Sequence, residues 1–185
     1  HAEKNKLNDL FVKFGNSGLR VIGVAYKEIK NAPVAVSEES DMVFAGFVLL
    51  QDPVKAGITE VIAELKQLKV DIKIITGDNR NIARSIALKL GIADPVIIAG
   101  EELTAIAPEA LAEKVKHTHI FAEMEPQQKE RLIKVLKTSC TVAYMGDGIN
   151  DVTALNAADV GISVDNAADV VREAADFVLM EKDLS

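Results

Sequence analysis

Two acids and two glycines crowd one short stretch, Met145-Gly-Asp-Gly-Ile-Asn-Asp151, directly after the apolar run Cys140-Thr-Val-Ala-Tyr144. Phosphoryl chemistry needs positive charge, directed donors and usually a divalent metal. Magnesium prefers hard oxygen ligands, takes one or two carboxylates and fills the remaining positions with water and phosphate oxygens. Asp147 suits that role. Gly146 and Gly148 let the backbone approach closely and turn sharply, Asn150 is placed to hold the loop, and Asp151 to order metal-bound water. Thr76-Gly77-Asp78 adds a hydroxyl and backbone N–H groups near the start of a helix, where an anion is favoured. Pro126-Gln-Gln-Lys129 adds an ammonium for a phosphate oxygen, and Lys129 would also relieve repulsion between Asp147 and a neighbouring carboxylate. Each piece has an ordinary reading alone: Thr-Gly-Asp is a common turn and helix cap, and a lysine on a charged helix is usually solvated. Their combination carries the argument.

The elements that must position these residues alternate. The spacing predicts a helix over 4–15, a strand over 19–26 and a charged loop or linker over 27–41. Strands follow at 42–50, 70–75, 96–99, 119–122, 140–145, 159–163 and 177–180, with helices at 55–68, 79–90, 108–116, 127–136, from about 150, and at 166–174. Strands alternating with helices mean β-α-β crossovers and a mainly parallel sheet. In such sheets ligands bind beyond the carboxyl ends of the strands. All three motifs fall there.

Composition agrees. The 185 residues suit one compact domain, or one domain with a piece of another. Hydrophobic residues are 49%, tryptophan is absent, and the Ala, Val, Ile and Leu palette fits helices on a branched-aliphatic sheet. A net charge of −7 argues against nucleic acid as a partner, since phosphate neutralisation needs clustered cations. One cysteine, Cys140, rules out an internal disulfide and is expected as buried strand filler. The longest apolar run, Met42–Leu50, is about half of what a bilayer requires. His1 stands where an initiating methionine would, so the expectation is a soluble piece of a longer chain. His117 and His119 lack an evident third ligand, Glu101-Glu102 reads as a solvated loop, and 105–114 as a surface helix.

In this order the motifs resemble those of the haloacid dehalogenase superfamily. More narrowly they resemble the cytoplasmic part of P-type cation-transporting ATPases, and 158–165, 171–176 and 179–184 look closest to bacterial magnesium-transporting members. The resemblance implies an α/β fold, a haloacid dehalogenase-like (Rossmann-type) mainly parallel sheet flanked by helices. That sheet would be incomplete and preceded by a remnant of a nucleotide-binding domain. Residues 1–41 would be the tail of that domain and the approach to a hinge at Asp52-Pro53, and 42–185 the major part of the phosphorylation domain. It implies ATP as substrate and Mg2+ as cofactor. Arg20, Thr76, Gly77, Asp78, Lys129 and Asn150 would bind phosphate or nucleotide. Thr76, Lys129 and Asp147 would be catalytic, Asp147 the metal ligand, and Asp151 a residue behind it. The implied partners are a transported cation, the remaining domains and the membrane helices of one pump, at the cytoplasmic face of a bacterial membrane.

Val54-Lys55 and Val152-Thr153 depart mildly from the usual motifs. A larger departure is that no Asp-Lys-Thr-Gly, the segment carrying the family's phosphorylated aspartate, occurs in the sequence. The expectation is therefore an isolated chain without activity. Its sheet would lack a central strand, compensated by re-pairing of 19–26 or 42–50 or by association of two copies. A freestanding phosphatase of the same superfamily would need an early Asp-x-Asp, and a receiver-like binding module an acid cluster at its first strand end. Neither is visible.

Overall fold

The structure, a computed structural model, describes residues 2–28, 40–51 and 53–180, so Asp52 of the expected hinge and most of the expected charged loop lie outside it. Two compact units divide the chain, His1–Pro53 and Val54–Ser185.

In the first unit, helix α1 (Ala2–Asn16) precedes a hairpin of β1 (Arg20–Tyr26) and β2 (Val43–Leu50). The strands are antiparallel, in register from Arg20↔Leu50 to Tyr26↔Val43, with an irregularity at Val24/Ala25. The three- and four-residue spacing on α1 turns Phe11 and Phe14 toward Phe47, with ring centroids 6.2 and 6.3 Å away. Phe44 meets Phe47 at 5.0 Å. Strand 43–50 thus belongs to this hairpin and does not join the parallel sheets that follow.

The second unit runs α2 (Ile58–Gln67), β3 (Ile74–Ile75), α3 (Arg80–Lys89), β4 (Ile97–Ala99), α4 (Gly100–Ala105), α5 (Pro108–His117), β5 (Ile120–Ala122) and α6 (Pro126–Leu136). It continues with β6 (Ala143–Met145), a 3-10 turn (Ile149–Asp151), α7 (Val152–Ala157), β7 (Val160–Val164), α8 (Asp169–Glu173) and β8 (Phe177–Leu179). Prolines open α5 and α6, where the missing N–H costs nothing. Asn79 caps α3, its side chain accepting from Asn81 N at 3.1 Å and Ile82 N at 3.0 Å.

Two parallel three-stranded sheets result, ordered β3-β5-β4 and β6-β7-β8. All three residues of β5 are buried, and they alternate between faces. Ile120 and Ala122 pack with Ala83 and Ala87 of α3. Phe121 joins the larger core with Leu103, Leu111, Leu132 and Ile133. That double burial is the mark of a parallel strand covered by helices on both sides. The larger core also takes in Val142, Tyr144 and Leu155, so one apolar cluster serves both sheets, with α6 supplying Leu132, Ile133 and Leu136.

The expected mainly parallel sheet is present as two three-stranded pieces, in which β3 and β6 each have a single strand partner among the described residues. Three expectations need correction. The segments 20–26 and 43–50 pair with one another and complete neither sheet. Glu101-Glu102 belongs to α4, not to a loop, and Glu102 pairs with Arg80 while accepting from Ala99 N at 3.0 Å. Cys140 precedes β6 and is exposed, its thiol donating to the Leu136 carbonyl closing α6.

Candidate active site

Three loops follow β3, β5 and β6. The first is Thr76-Gly77-Asp78. Thr76 N continues the ladder by donating to Phe121 O at 2.9 Å, and its hydroxyl accepts from Asp78 N at 3.1 Å. The second loop is bonded to the first along the backbone: Met124 N donates to Thr76 O at 3.0 Å and Glu123 N to Asp78 O at 2.9 Å. Glu123 adopts a left-handed backbone, φ 56°, a conformation that costs a residue with a Cβ roughly 1–2 kcal/mol. Its carboxylate accepts from Arg80 N at 3.2 Å, at the start of α3. The loop after β3 and the entry to α6 are therefore one hydrogen-bonded assembly.

Gln128 secures that entry. Its side chain accepts from Glu125 N at 2.8 Å and donates to Gly100 O and Thr104 Oγ1, both at 2.9 Å. One turn into α6 stands Lys129, nearly buried at 8% exposure. Its ammonium donates to Asp151 Oδ1 at 2.8 Å, with side chains only 10% and 14% exposed. This is not the solvated lysine of the ordinary reading.

The third loop is shaped around Asp151. Gly146 N donates to Ile162 O at 3.1 Å, prolonging the β6–β7 pairing. A Cβ at residue 146 would lie 2.7 Å from Asp151 Cβ. Asp151 N donates to Gly148 O at 2.8 Å, and Gly148 N reaches Asp151 Oδ2 at 3.3 Å. The buried Tyr144 hydroxyl donates to Asp151 Oδ1 at 2.7 Å. Burial opposes ionisation of Asp151, but the donors from Lys129, Tyr144 and Gly148 outweigh it and hold its pKa below the usual aspartate value. Burial first, and then the Asp151 carboxylate, push the Tyr144 phenol well above its ordinary range, so it stays protonated and donates.

Lys129 and Asp151 are thus in contact, and Thr76, Gly77 and Asp78 are tied to the loop that leads into α6. Asp147 and Asn150 are exposed on the third loop. Arg20 begins β1 in the other unit. His117 closes α5 beside Glu113, while His119 Nδ1 accepts from Val96 N at 3.1 Å, so the two histidines serve separate neighbours. Sequence reasoning missed Tyr144, Gln128 and Glu123. Only Gln128 carried a sequence mark, its place inside Pro-x-x-Lys.

The oxygens available suit magnesium in its open mode. Among the described residues no group of three or more His, Cys, Asp or Glu could form a protein cage. Asp147, exposed between Gly146 and Gly148, presents a carboxylate of the hard-oxygen type that magnesium takes.

Residues 9–159 match a family described as haloacid dehalogenase-like hydrolase. A magnesium-transporting ATPase, P-type 1, of Escherichia coli (strain K12) is 38% identical over 170 residues, covering 90% of this chain and 19% of that protein. A calcium-transporting ATPase 1 of Bacillus cereus is 34% identical over 189 residues, covering 100% of this chain and 21% of that protein. The solved structure of a zinc-transporting PIB-type ATPase in its E2.Pi state superposes with TM-score 0.61 at 26% identity, over 95% of this chain and 22% of that one. The chain spans about a fifth of the length of the curated relatives it matches.

Proposed function

The chain belongs to the haloacid dehalogenase-like hydrolases, and from that premise we propose that it forms the phosphate- and magnesium-binding part of an ATP-driven cation pump. It resembles the phosphorylation domain of P-type cation ATPases. The observation that carries the reading is the nearly buried Lys129–Asp151 pair beside the Gly146–Gly148 turn. A buried ammonium is costly to maintain, and at a strand-end loop its use is to meet an anion.

In this reading Thr76 and Gly77 hold phosphoryl oxygens by hydroxyl and amide, Asp78 faces the nucleotide, and Lys129 neutralises charge developing on the transferring group. Asp147 would hold Mg2+, which supplies Lewis-acid charge to the phosphate oxygens. Asp151 keeps Lys129 fixed, and Asn150 steadies the turn. Arg20, in the unit read as nucleotide-binding-domain tail, would meet ATP phosphates, and Asp52-Pro53 would be the hinge. The phosphorylated aspartate comes from another segment, whose strand would pair with the open edges of β3 and β6. The transported cation, the other domains and the membrane helices of the pump are the remaining partners, at the cytoplasmic face of a bacterial membrane. Among the described residues, no helix is long and apolar enough to cross a membrane.

The test uses ATP labelled at the γ-phosphate, with magnesium. Alone, the chain acquires no acid-stable label. With a separate polypeptide bearing an Asp-Lys-Thr-Gly strand, that polypeptide is labelled, and Lys129→Met or Asp147→Asn abolishes it. Label on this chain itself, or turnover of para-nitrophenyl phosphate by the chain alone, overturns the reading in favour of a freestanding phosphatase.

A further inference from the structure

Asp151 takes three donors from three elements. Lys129 of α6 and Tyr144 of β6 share Oδ1 at 2.8 and 2.7 Å, and Gly148 N lies 3.3 Å from Oδ2. A lysine ammonium is a point charge on a flexible stem, so its position is inherited from whatever it pairs with. A carboxylate is itself free to turn about its terminal torsion, where preferences are broad. Something rigid must fix the carboxylate, and the Gly148 amide, in an open turn and at the longest of the three distances, is the weakest of the donors. Tyr144 is the rigid one. It is 7% exposed, lies in a strand paired with β7, and its ring belongs to the core cluster with Leu132, Ile133 and Leu155. A phenylalanine would fill that core equally well, so packing leaves the hydroxyl unexplained.

We propose that Tyr144 is the positioning residue of the site: its hydroxyl, bonded to Asp151 Oδ1, locks the carboxylate in the one orientation that holds Lys129 at the strand-end loops. What Lys129 is positioned to meet rests on the phosphoryl reading. The positioning does not.

The test is side-chain NMR on the 15N-labelled chain. In the unaltered chain the Lys129 ammonium exchanges slowly with water. In Tyr144→Phe the backbone amide spectrum stays unchanged outside the neighbourhood of 144 and 151, while ammonium exchange at Lys129 accelerates about tenfold, the scale of losing one hydrogen bond to a charged group. Unchanged exchange in a folded Tyr144→Phe chain overturns the proposal. Should that variant not fold, the unaltered chain decides: a slowly exchanging phenolic proton showing proximity to the Lys129 side chain supports the proposal, and its absence overturns it. A separate titration with magnesium and inorganic phosphate keeps the two readings apart. If phosphate affinity is indifferent to Lys129→Met, the phosphoryl reading falls and the Tyr144 result stands.

Discussion

Gly146 and Asp151 share one volume: the Asp151 Cβ and Cγ stand 2.7 and 2.9 Å from where a side chain at residue 146 would begin. The glycine is there for space, and the loop closes over the carboxylate because nothing projects from residue 146. Asp151 cannot move aside freely, since Lys129 and Tyr144 hold one of its oxygens. Gly146→Ala therefore overpacks the turn, at about 1–3 kcal/mol. Gly148→Ala meets Asp151 Oδ2 at 3.2 Å and Asn150 N no closer than 4.0 Å, and costs less. Urea midpoints of the two variants check the ranking. Equal midpoints would show that Asp151 yields without resistance.

The Lys129–Asp151 pair predicts an asymmetry. Lys129→Met leaves the carboxylate with Tyr144 and Gly148, so the loss is about 1–3 kcal/mol. Asp151→Asn leaves a nearly buried ammonium without its counter-charge, a change that typically costs roughly 3–5 kcal/mol. Denaturant unfolding of both variants reads this directly. The opposite order would mean that water reaches Lys129 and replaces the carboxylate.

Acid dependence follows from the same carboxylate. The folded pKa of Asp151 lies below its unfolded value, so its contribution is present in full above the ordinary aspartate range, about pH 4, and is lost as pH falls through the depressed folded value. The stability gap between the unaltered chain and Asp151→Asn should be constant near neutrality and narrow below about pH 4. Unfolding curves at stepped pH measure it. A gap that widens in acid would reverse the sign assigned here.

Legibility in the sequence tracked how local each determinant is. The helix expected over 127–136 is legible in Pro126 and the Leu132, Ile133, Leu136 spacing, and forms as Pro126–Leu136. The 79–90 helix is legible in its Asn79 cap. Helix α4 escaped because Gly100–Ala105 carries a single large apolar side chain, Leu103, and so shows no period. The strand expected from 70 shrank to Ile74–Ile75 because Lys69 turns left-handed at φ 62° and Val70 N returns to Leu65 O, ending α2. Pairing of 20–26 with 43–50 is non-local, and no residue within either strand declares its partner. In the site, Lys129 and Asp151 were legible as residue types suited to phosphate chemistry. Tyr144 was not, because a tyrosine in an apolar strand looks like core until the chain folds Asp151 back over its hydroxyl.

The last prediction concerns how α4 clamps the entry to α6. A side chain added at Gly100 would begin 2.5 Å from Glu123 O and closer still to Gln128 Oε1. The two obstacles differ in kind. The Gln128 side chain can swing away, at the loss of its bonds to Glu125 N, Gly100 O and Thr104 Oγ1. The Glu123 carbonyl belongs to a left-handed turn pinned by the bonds from Glu123 N to Asp78 O and from Met124 N to Thr76 O, so it cannot retreat without loosening the Thr76 loop. Gly100→Ala should thus cost more than Gln128→Ala, and adding Gln128→Ala to it should recover only part of the loss. A double-mutant cycle in urea gives the coupling between the two sites, expected at about 0.5–3 kcal/mol for residues in contact. Amide exchange should accelerate at Met124 in Gly100→Ala, because the strain passes through Glu123 into the backbone bond to Thr76. Full recovery in the double variant, with Met124 unaffected, would place the whole obstacle on the glutamine side chain and leave the Glu123 turn free to relax.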